Sequence, residues 1–331
     1  MAPVLSGVRN PAQPIQQGRQ WFTAETPRRG ETKENTDLEE AEGSLSSSRW
    51  TQRKQSVRVR DSARKPPLPQ VRFSTLLSGP HVRRAGADYT GLMETISGKV
   101  AIITGGTRGI GRAIVEKLLV EGAAVAFCGR RQESVDNAVA ALKPLGTVFG
   151  YAADVAKAEQ VAGFFAAVEK EFGGVDILVN NAGEGVFRKV ADMTLEEWHR
   201  NIDLNLNGAF YCSREALPRF AKRGGGFIVN ISSLAARNPF SGGAGYNASK
   251  FGLNGFTEAL MLDHRYENVR VCSVMPGSVA TDFQGDPGKR AGDTAWMVAA
   301  EDVAEVVSLV LRMPARTMVS RVEMRPSKPK K

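Results

Sequence analysis

Histidine and cysteine are scarce in this chain, with three of each in 331 residues. His81, His199 and His264 stand far apart and form no ligand spacing. Cys128, Cys212 and Cys272 are odd in number and sit in apolar surroundings. A disulfide framework and a sequence-encoded metal site are both excluded, and the cysteines read as small core residues of a reducing compartment, the cytoplasm. Long apolar runs are missing as well, which leaves no candidate for a membrane-spanning helix. The first residues lack the charged-then-apolar order of a signal peptide.

A hydrophobic period of 2 or 3.6 is absent before residue 93. Residues 1–92 are rich in Pro, Gln, Arg, Ser and Glu, and Arg64-Lys-Pro-Pro-Leu-Pro-Gln70 is typical. Such a segment buries too little apolar surface to offset its chain entropy, so a disordered extension is expected there. Acids at Glu31, Glu34, Asp37, Glu39, Glu40 and Glu42 argue against an organelle transit peptide. Met93, a few residues before the first strand-like run, looks like a natural start. Residues 1–92 are therefore read either as a dispensable extension or as the product of a wrongly chosen upstream start. The formal charge of +9 follows the same division: this segment holds about 15 Lys and Arg against about 9 Asp and Glu, so roughly +6 belongs to it. The remainder is nearly neutral, and no nucleic-acid partner is expected.

From residue 99 onward, β-like and helix-like runs alternate. Strand-like runs lie at 100–104, 124–128, 147–151, 176–180, 226–231, 270–274 and 319–324. Helix-like stretches lie near 109–121, 132–143, 157–172, 194–222, 245–265 and 300–312. Alternation at this spacing predicts a mostly parallel seven-stranded sheet covered on both faces, joined by right-handed crossovers. The expected fold over residues 93–331 is one α/β domain, doubly wound and of Rossmann type, with no internal repeat and no second domain.

Thr104-Gly-Gly-Thr-Arg-Gly-Ile-Gly111 follows the first strand-like run and opens a helix-like one. That arrangement puts a dinucleotide pyrophosphate on a helix N-terminus. Gly105, Thr107, Arg108, Gly109, Ile110 and Gly111 are accordingly cofactor-facing candidates. The second strand-like run ends Cys128-Gly-Arg-Arg131, without the Asp or Glu that binds a ribose 2′-hydroxyl in NAD-preferring domains. Arg130 and Arg131, helped by Arg108, predict NADP, because guanidinium–phosphate contacts are strong and bidentate.

Tyr246-Asn-Ala-Ser-Lys250 places a phenol and an ammonium one helical turn apart on one face. A free tyrosine, with a pKa near 10, is a poor acid–base catalyst at neutrality. A fixed positive charge beside it is expected to lower that pKa toward the working pH.

Taken in order, the glycine run, Ala153-Asp154-Val155, Asn180-Asn-Ala-Gly183, Asn205, Ser233, Tyr246-x-x-x-Lys250 and Pro276-Gly277 resemble the short-chain dehydrogenase/reductase family. The resemblance spans residues 98–325. It implies that Tyr246 protonates the nascent alkoxide in carbonyl reduction and that Lys250 holds the nicotinamide ribose. It further implies that Ser233 orients the substrate oxygen and that Asn205, in mid-helix, binds a water of a proton relay. Asp154 and Val155 would border the adenine; Asn181, Ala182 and Gly183 would approach the cofactor ribose; Pro276, Gly277 and Thr281 would line the nicotinamide end. The resemblance also implies a homodimer or homotetramer built on helices 194–222 and 245–265. Their apolar residues, Phe210, Phe251 and Phe256 among them, exceed what one sheet face covers.

For the substrate, Cys128-Gly-Arg-Arg-Gln132, Glu301-Asp-Val-Ala304 and the ending at 319–326 resemble the branch that oxidises short 3-hydroxy acids and serine with NADP. A short, glycine-containing lid is expected over 282–296. The substrate is then a small 3-hydroxy acid or 3-oxo compound. A 3-oxoacyl-thioester reductase is the alternative within the family. A noncatalytic NADP-binding sensor or scaffold is the alternative of another class, since fold does not imply function.

Overall fold

The computed structural model describes residues 93–281, 283 and 294–329. The extension expected over 1–92 therefore lies outside the described residues, as does most of the lid expected over 282–296. From its first described residues the chain is tied to the body that follows. The Glu94 amide donates to the Arg312 carbonyl at 2.7 Å, and Ile96 is buried in the core.

Seven strands form one sheet: β1 (Val100–Thr104), β2 (Ala124–Gly129), β3 (Val148–Ala152), β4 (Ile177–Asn180), β5 (Gly226–Ile231), β6 (Val269–Pro276) and β7 (Arg321–Met324). Their order is β3-β2-β1-β4-β5-β6-β7 and all six pairings are parallel. Between them run α1 (Gly109–Val120), α2 (Gln132–Leu142), α3 (Ala158–Phe172), α4 (Leu195–Ile202), α5 (Gly208–Arg223), α6 (Ala244–His264) and α7 (Ala300–Leu311).

β1 is buried along its whole length, as a central parallel strand covered on both faces must be. Its side chains alternate between two cores. Ala101 and Ile103 join Ile114 and Leu118 of α1 and Val303 and Val307 of α7. Val100 and Ile102 face Phe164, Phe165 and Val168 of α3 and Phe220 of α5. The period of 2 in the strand thus meets a period of 3.6 in helices on each side. The chain winds outward in both directions from β1 and β4, so a crevice opens beyond the carboxyl ends of those two strands.

Element ends differ from the sequence reading by one or two residues at several strands, and one helix differs in kind. The stretch 194–222 is not one helix. A five-residue π-helical segment (Asp203–Asn207) separates α4 from α5, and such wide turns concentrate at functional sites. The last strand begins at Arg321, two residues later than expected.

Candidate active site

The crevice is a cleft of about 1270 Å³. One wall is the glycine turn between β1 and α1. Gly105 and Gly109 take left-handed backbone conformations (φ 69° and 57°) that other residues adopt only with strain. Gly111 is required for space, because a Cβ there would lie closer than 3.0 Å to both the Gly105 carbonyl oxygen and the Asn181 amide nitrogen. Gly111 thus serves close packing against the turn itself. Asn181 braces this turn through Nδ2, which donates to the carbonyls of Thr104 (2.9 Å) and Gly105 (3.2 Å). The Thr104 hydroxyl accepts from the amides of Asn181 and Ala182 at 3.0 and 2.9 Å. Arg108, the residue before α1, gives no side-chain cap, so the first amides of α1 remain available to an anion.

Thr107, Arg108, Gly109 and Ile110 line the cleft, as do Arg130, Asp154, Val155, Ala182 and Gly183. Arg130 reaches across to Glu184, 3.8 Å away, and Glu184 also holds Arg200 at 2.8 Å. Arg131 does not line the cleft. It occupies the position before α2, and its Nε donates to the Ser134 hydroxyl at 3.1 Å. Asp154 caps no helix; its carboxylate accepts from the Ala156 amide at 3.0 Å while it borders the cleft. Pro276 and Gly277 close the far end, where the Gly277 amide donates to the Met324 carbonyl at 2.9 Å. Thr281 lies opposite Gly109 across the mouth.

At the floor, Ser233, Tyr246 and Lys250 converge. Ser233 follows β5 in extended conformation, accepts from the Ala235 amide at 3.1 Å and lines the cleft beside Tyr246. Tyr246 and Lys250 are both buried on α6, with Lys250 Nζ 5.8 Å from the Tyr246 ring centre. Lys250 donates to the Ile231 carbonyl at 3.0 Å, which ties α6 to the end of β5. Burial lowers the Lys250 pKa to about 8. The Tyr246 pKa departs from the expected direction: burial pushes it up, and the opposing influence is its hydrogen bond with Ser233. The low-dielectric surroundings disfavour the phenolate more than Ser233 favours it.

Asn205 sits in the π-helical segment and is buried. Its Oδ1 accepts from the Glu184 amide (3.0 Å), and its Nδ2 donates to the Glu184 carbonyl (2.9 Å) and the Ser249 hydroxyl (3.0 Å). Ser249 in turn donates to the Tyr246 carbonyl at 2.8 Å. Asn205 therefore links the loop after β4 to the helix carrying Tyr246. Asn180 does not face the cleft. It donates to the Asn230 side-chain oxygen at 2.8 Å inside the sheet–helix layer.

Several residues escaped the sequence reading. Phe187 and Phe283 pack edge-on against Tyr246, Phe240 packs on Phe187, and Asn201 is fully buried one turn before Asn205. Only its four-residue spacing from Asn205 could have flagged Asn201. Cys128, Cys212 and Cys272 are buried free thiols, and burial raises Cys128 and Cys272 to about 12. Among the described residues no group of three His, Cys, Asp or Glu could hold a metal ion, and no helix is long and apolar enough to cross a membrane.

A doubly wound parallel sheet, with a glycine turn over the crevice and a Ser–Tyr–Lys set at its floor, defines a nucleotide-binding oxidoreductase of Rossmann type. Residues 99–291 match the short chain dehydrogenase family, and the chain belongs to that family. It is an oxidoreductase acting on hydroxyl and carbonyl groups. A 3alpha-hydroxysteroid dehydrogenase of Mediterraneibacter gnavus is 42% identical over 191 residues, which is 57% of this chain and 76% of that protein. Among solved structures, an alcohol dehydrogenase of the archaeon Thermococcus sibiricus, complexed with 5-hydroxy-NADP, is 29% identical with a TM-score of 0.65; the match covers 70% of this chain and 99% of that one. A metagenomic short-chain oxidoreductase in complex with NADP is 33% identical with a TM-score of 0.63, covering 71% and 100%.

Proposed function

We propose that this protein is an NADP(H)-dependent oxidoreductase that interconverts a carbonyl and a secondary alcohol, with Tyr246 as general acid and base. The observation that carries the proposal is the convergence of Tyr246, Ser233 and Lys250 at the floor of a cleft whose wall is the Gly105–Gly111 turn. The cleft fits a dinucleotide: the crowded glycines leave room for backbone to meet phosphate, and α1 has an uncapped start. Two solved structures similar to this chain hold NADP or 5-hydroxy-NADP, which favours the same cofactor here. Arg130 is the lining cation at the end of β2, where a 2′-phosphate would be met.

When bound, the nicotinamide supplies or accepts the hydride. The chain's own groups handle the proton and the orientation. In reduction, Ser233 and Tyr246 donate hydrogen bonds to the substrate oxygen, and Tyr246 gives up its proton as the carbon gains hydride. In oxidation, Tyr246 takes the hydroxyl proton as hydride leaves that carbon. Burial holds Tyr246 protonated at neutral pH, the form that donates. Lys250, held on Ile231, keeps an ammonium near the phenol and toward the ribose position. Asn205 fixes the loop and helix between which a relay water would lie.

A short 3-hydroxy or 3-oxo acid, the substrate expected from the sequence, needs a cation for its carboxylate. Among the described lining residues beyond Lys250, Arg108 and Arg130, that cation is Arg325, and Glu323 already engages it at 2.9 Å. The test is a screen of short 3-oxo acids, neutral ketones and aldehydes, read by nicotinamide absorbance with NADPH and NADH in parallel. Turnover with NADPH well above NADH supports the proposal; preference for NADH, or none, contradicts it.

A further inference from the structure

Two phenylalanines from separate parts of the chain pack on the Tyr246 ring, and a third packs on one of them. Phe187, in the loop after β4, lies edge-on to Tyr246 at 5.6 Å and to Phe240 at 5.5 Å between ring centres. Phe283 lies edge-on to Tyr246 from another side at 5.7 Å. All three line the cleft, and Phe240 and Phe283 keep 45% and 36% of their surface exposed. Leu234, Trp296 and Met297 extend the same lining. Exposed apolar surface gathered inside a cleft, next to the reacting group, is what an apolar ligand would cover.

The position of Phe187 is not left to loop flexibility. Two asparagine side chains, one helical turn apart, grip alternate residues of the loop that leads to it. Asn205 binds both the amide and the carbonyl of Glu184. Asn201 does the same to Val186: its Oδ1 accepts from the amide at 3.2 Å, and its Nδ2 donates to the carbonyl at 3.4 Å and to the Glu197 carbonyl at 3.1 Å. Gripping alternate residues is how a neighbouring strand would hold an extended segment. The Asn201 amide also sits against Gly245, where a Cβ would come within 2.8 Å of Nδ2. Asn201 therefore touches both the loop that ends in Phe187 and the residue that precedes Tyr246.

We propose that Phe187, Phe240 and Phe283 form the specificity-determining wall for an uncharged substrate whose reacting carbon lies in, or directly beside, a hydrocarbon ring. Asn201 is the positioning residue that holds Phe187 in that wall. Aromatic faces and edges around a phenol reward a flat or ring-shaped apolar body with many simultaneous contacts, whereas a short acid gains few of them. The unshared cation that an acid would need is lacking among the described lining residues of the substrate end. The inference rests on the Tyr246 reading above and narrows its substrate class.

The test uses the full chain with NADPH and three ketones: 2-tetralone as the ring, 2-butanone as the neutral acyclic probe and acetoacetate as the acidic one. The expected kcat/KM for 2-tetralone exceeds the other two by at least tenfold. Phe187→Ala lowers that ratio about tenfold. Asn201→Ser raises the KM for 2-tetralone severalfold while the Kd for NADPH stays within twofold. In a Phe187→Ala background, Asn201→Ser adds no further loss of preference, because its effect passes through Phe187. A merely structural role for Asn201 would instead reduce the active fraction and kcat, leave KM unchanged, and act equally in both backgrounds. Tyr246-dependent turnover that prefers acetoacetate or 2-butanone overturns the wall. Turnover that survives Tyr246→Phe overturns the Tyr246 reading itself, and turnover of none of the three overturns both.

Discussion

Replacing Gly111 by alanine adds a single carbon where the structure has no room for it. That carbon would overlap the Gly105 carbonyl oxygen and the Asn181 amide nitrogen, each closer than 3.0 Å. Neither neighbour is a flexible end. Gly105 is backbone in a left-handed turn, and Asn181 is fixed by its bonds to Thr104 and Gly105. Overpacking of this kind costs about 1–3 kcal/mol. Displacing Asn181 forfeits one or two hydrogen bonds worth about 1 kcal/mol each. A total of about 2–5 kcal/mol corresponds to a fall in Tm of roughly 5–15 °C for a domain of this size. The turn is also the proposed cofactor wall, so the rise in Tm produced by saturating NADPH should shrink along with it. Differential scanning fluorimetry with and without NADPH measures both quantities. A Gly111→Ala protein that melts within about 1 °C of the parent and keeps the full NADPH shift would refute the described packing.

The two arginines after β2 should separate. Arg130→Ala raises the KM for NADPH by about tenfold, the low end for a hydrogen bond to a charged group, because the guanidinium is largely solvated; Arg131→Ala, which removes only the contact to Ser134, changes it less than threefold in the same steady-state assay. Lys250 has a folded pKa of about 8 against an ordinary 10.5, so its buried charge destabilises the fold below about pH 8, and that cost is relieved as the pH rises from 8 to 10.5. Urea unfolding at pH 7 and pH 10 should show the parent gaining stability relative to Lys250→Met; a difference that does not change with pH contradicts the burial of a charged amine. Phe210 and Phe251 are exposed on α5 and α6, and Phe210 meets Phe256 at 6.1 Å, so an apolar face runs along both helices. A homodimer or homotetramer covering that face is expected by light scattering, and Phe251→Glu should shift it toward monomer.

Most of the fold and the placement of the candidate site residues were legible in the sequence because they obey short-range rules. Parallel strands buried on both faces read as continuous apolar runs such as Val100–Thr104. The glycine turn is a contiguous motif, and Tyr246 and Lys250 are separated by one helical turn. What was not legible depends on contacts between distant segments. The break between α4 and α5 turns on Asn205 binding a loop twenty-one residues earlier in the chain, not on helix propensity. Arg130 and Arg131 are indistinguishable as letters, and only the entry of α2 turns one toward the cleft and the other to Ser134. The pKa of Tyr246 was expected to fall because Lys250 is close. Burial, which no local pattern reports, moves it up instead. The phenylalanine wall gathers Phe187, Phe240 and Phe283 from three loops, and each alone looks like an ordinary apolar residue.

The most direct test of the central claim is Tyr246→Phe, which removes one hydroxyl and keeps the ring packed against Phe187 and Phe283. The measurement pairs NADPH-dependent ketone reduction with NADPH binding by fluorescence titration on the same preparation. Loss of a positioned general acid costs about 10²–10⁴-fold in turnover. The account predicts a fall of at least that order in kcat, with the Kd for NADPH changed less than threefold and Tm preserved. A Tyr246→Phe protein that reduces the ketone within tenfold of the parent rate would contradict the assignment of Tyr246 as the proton donor.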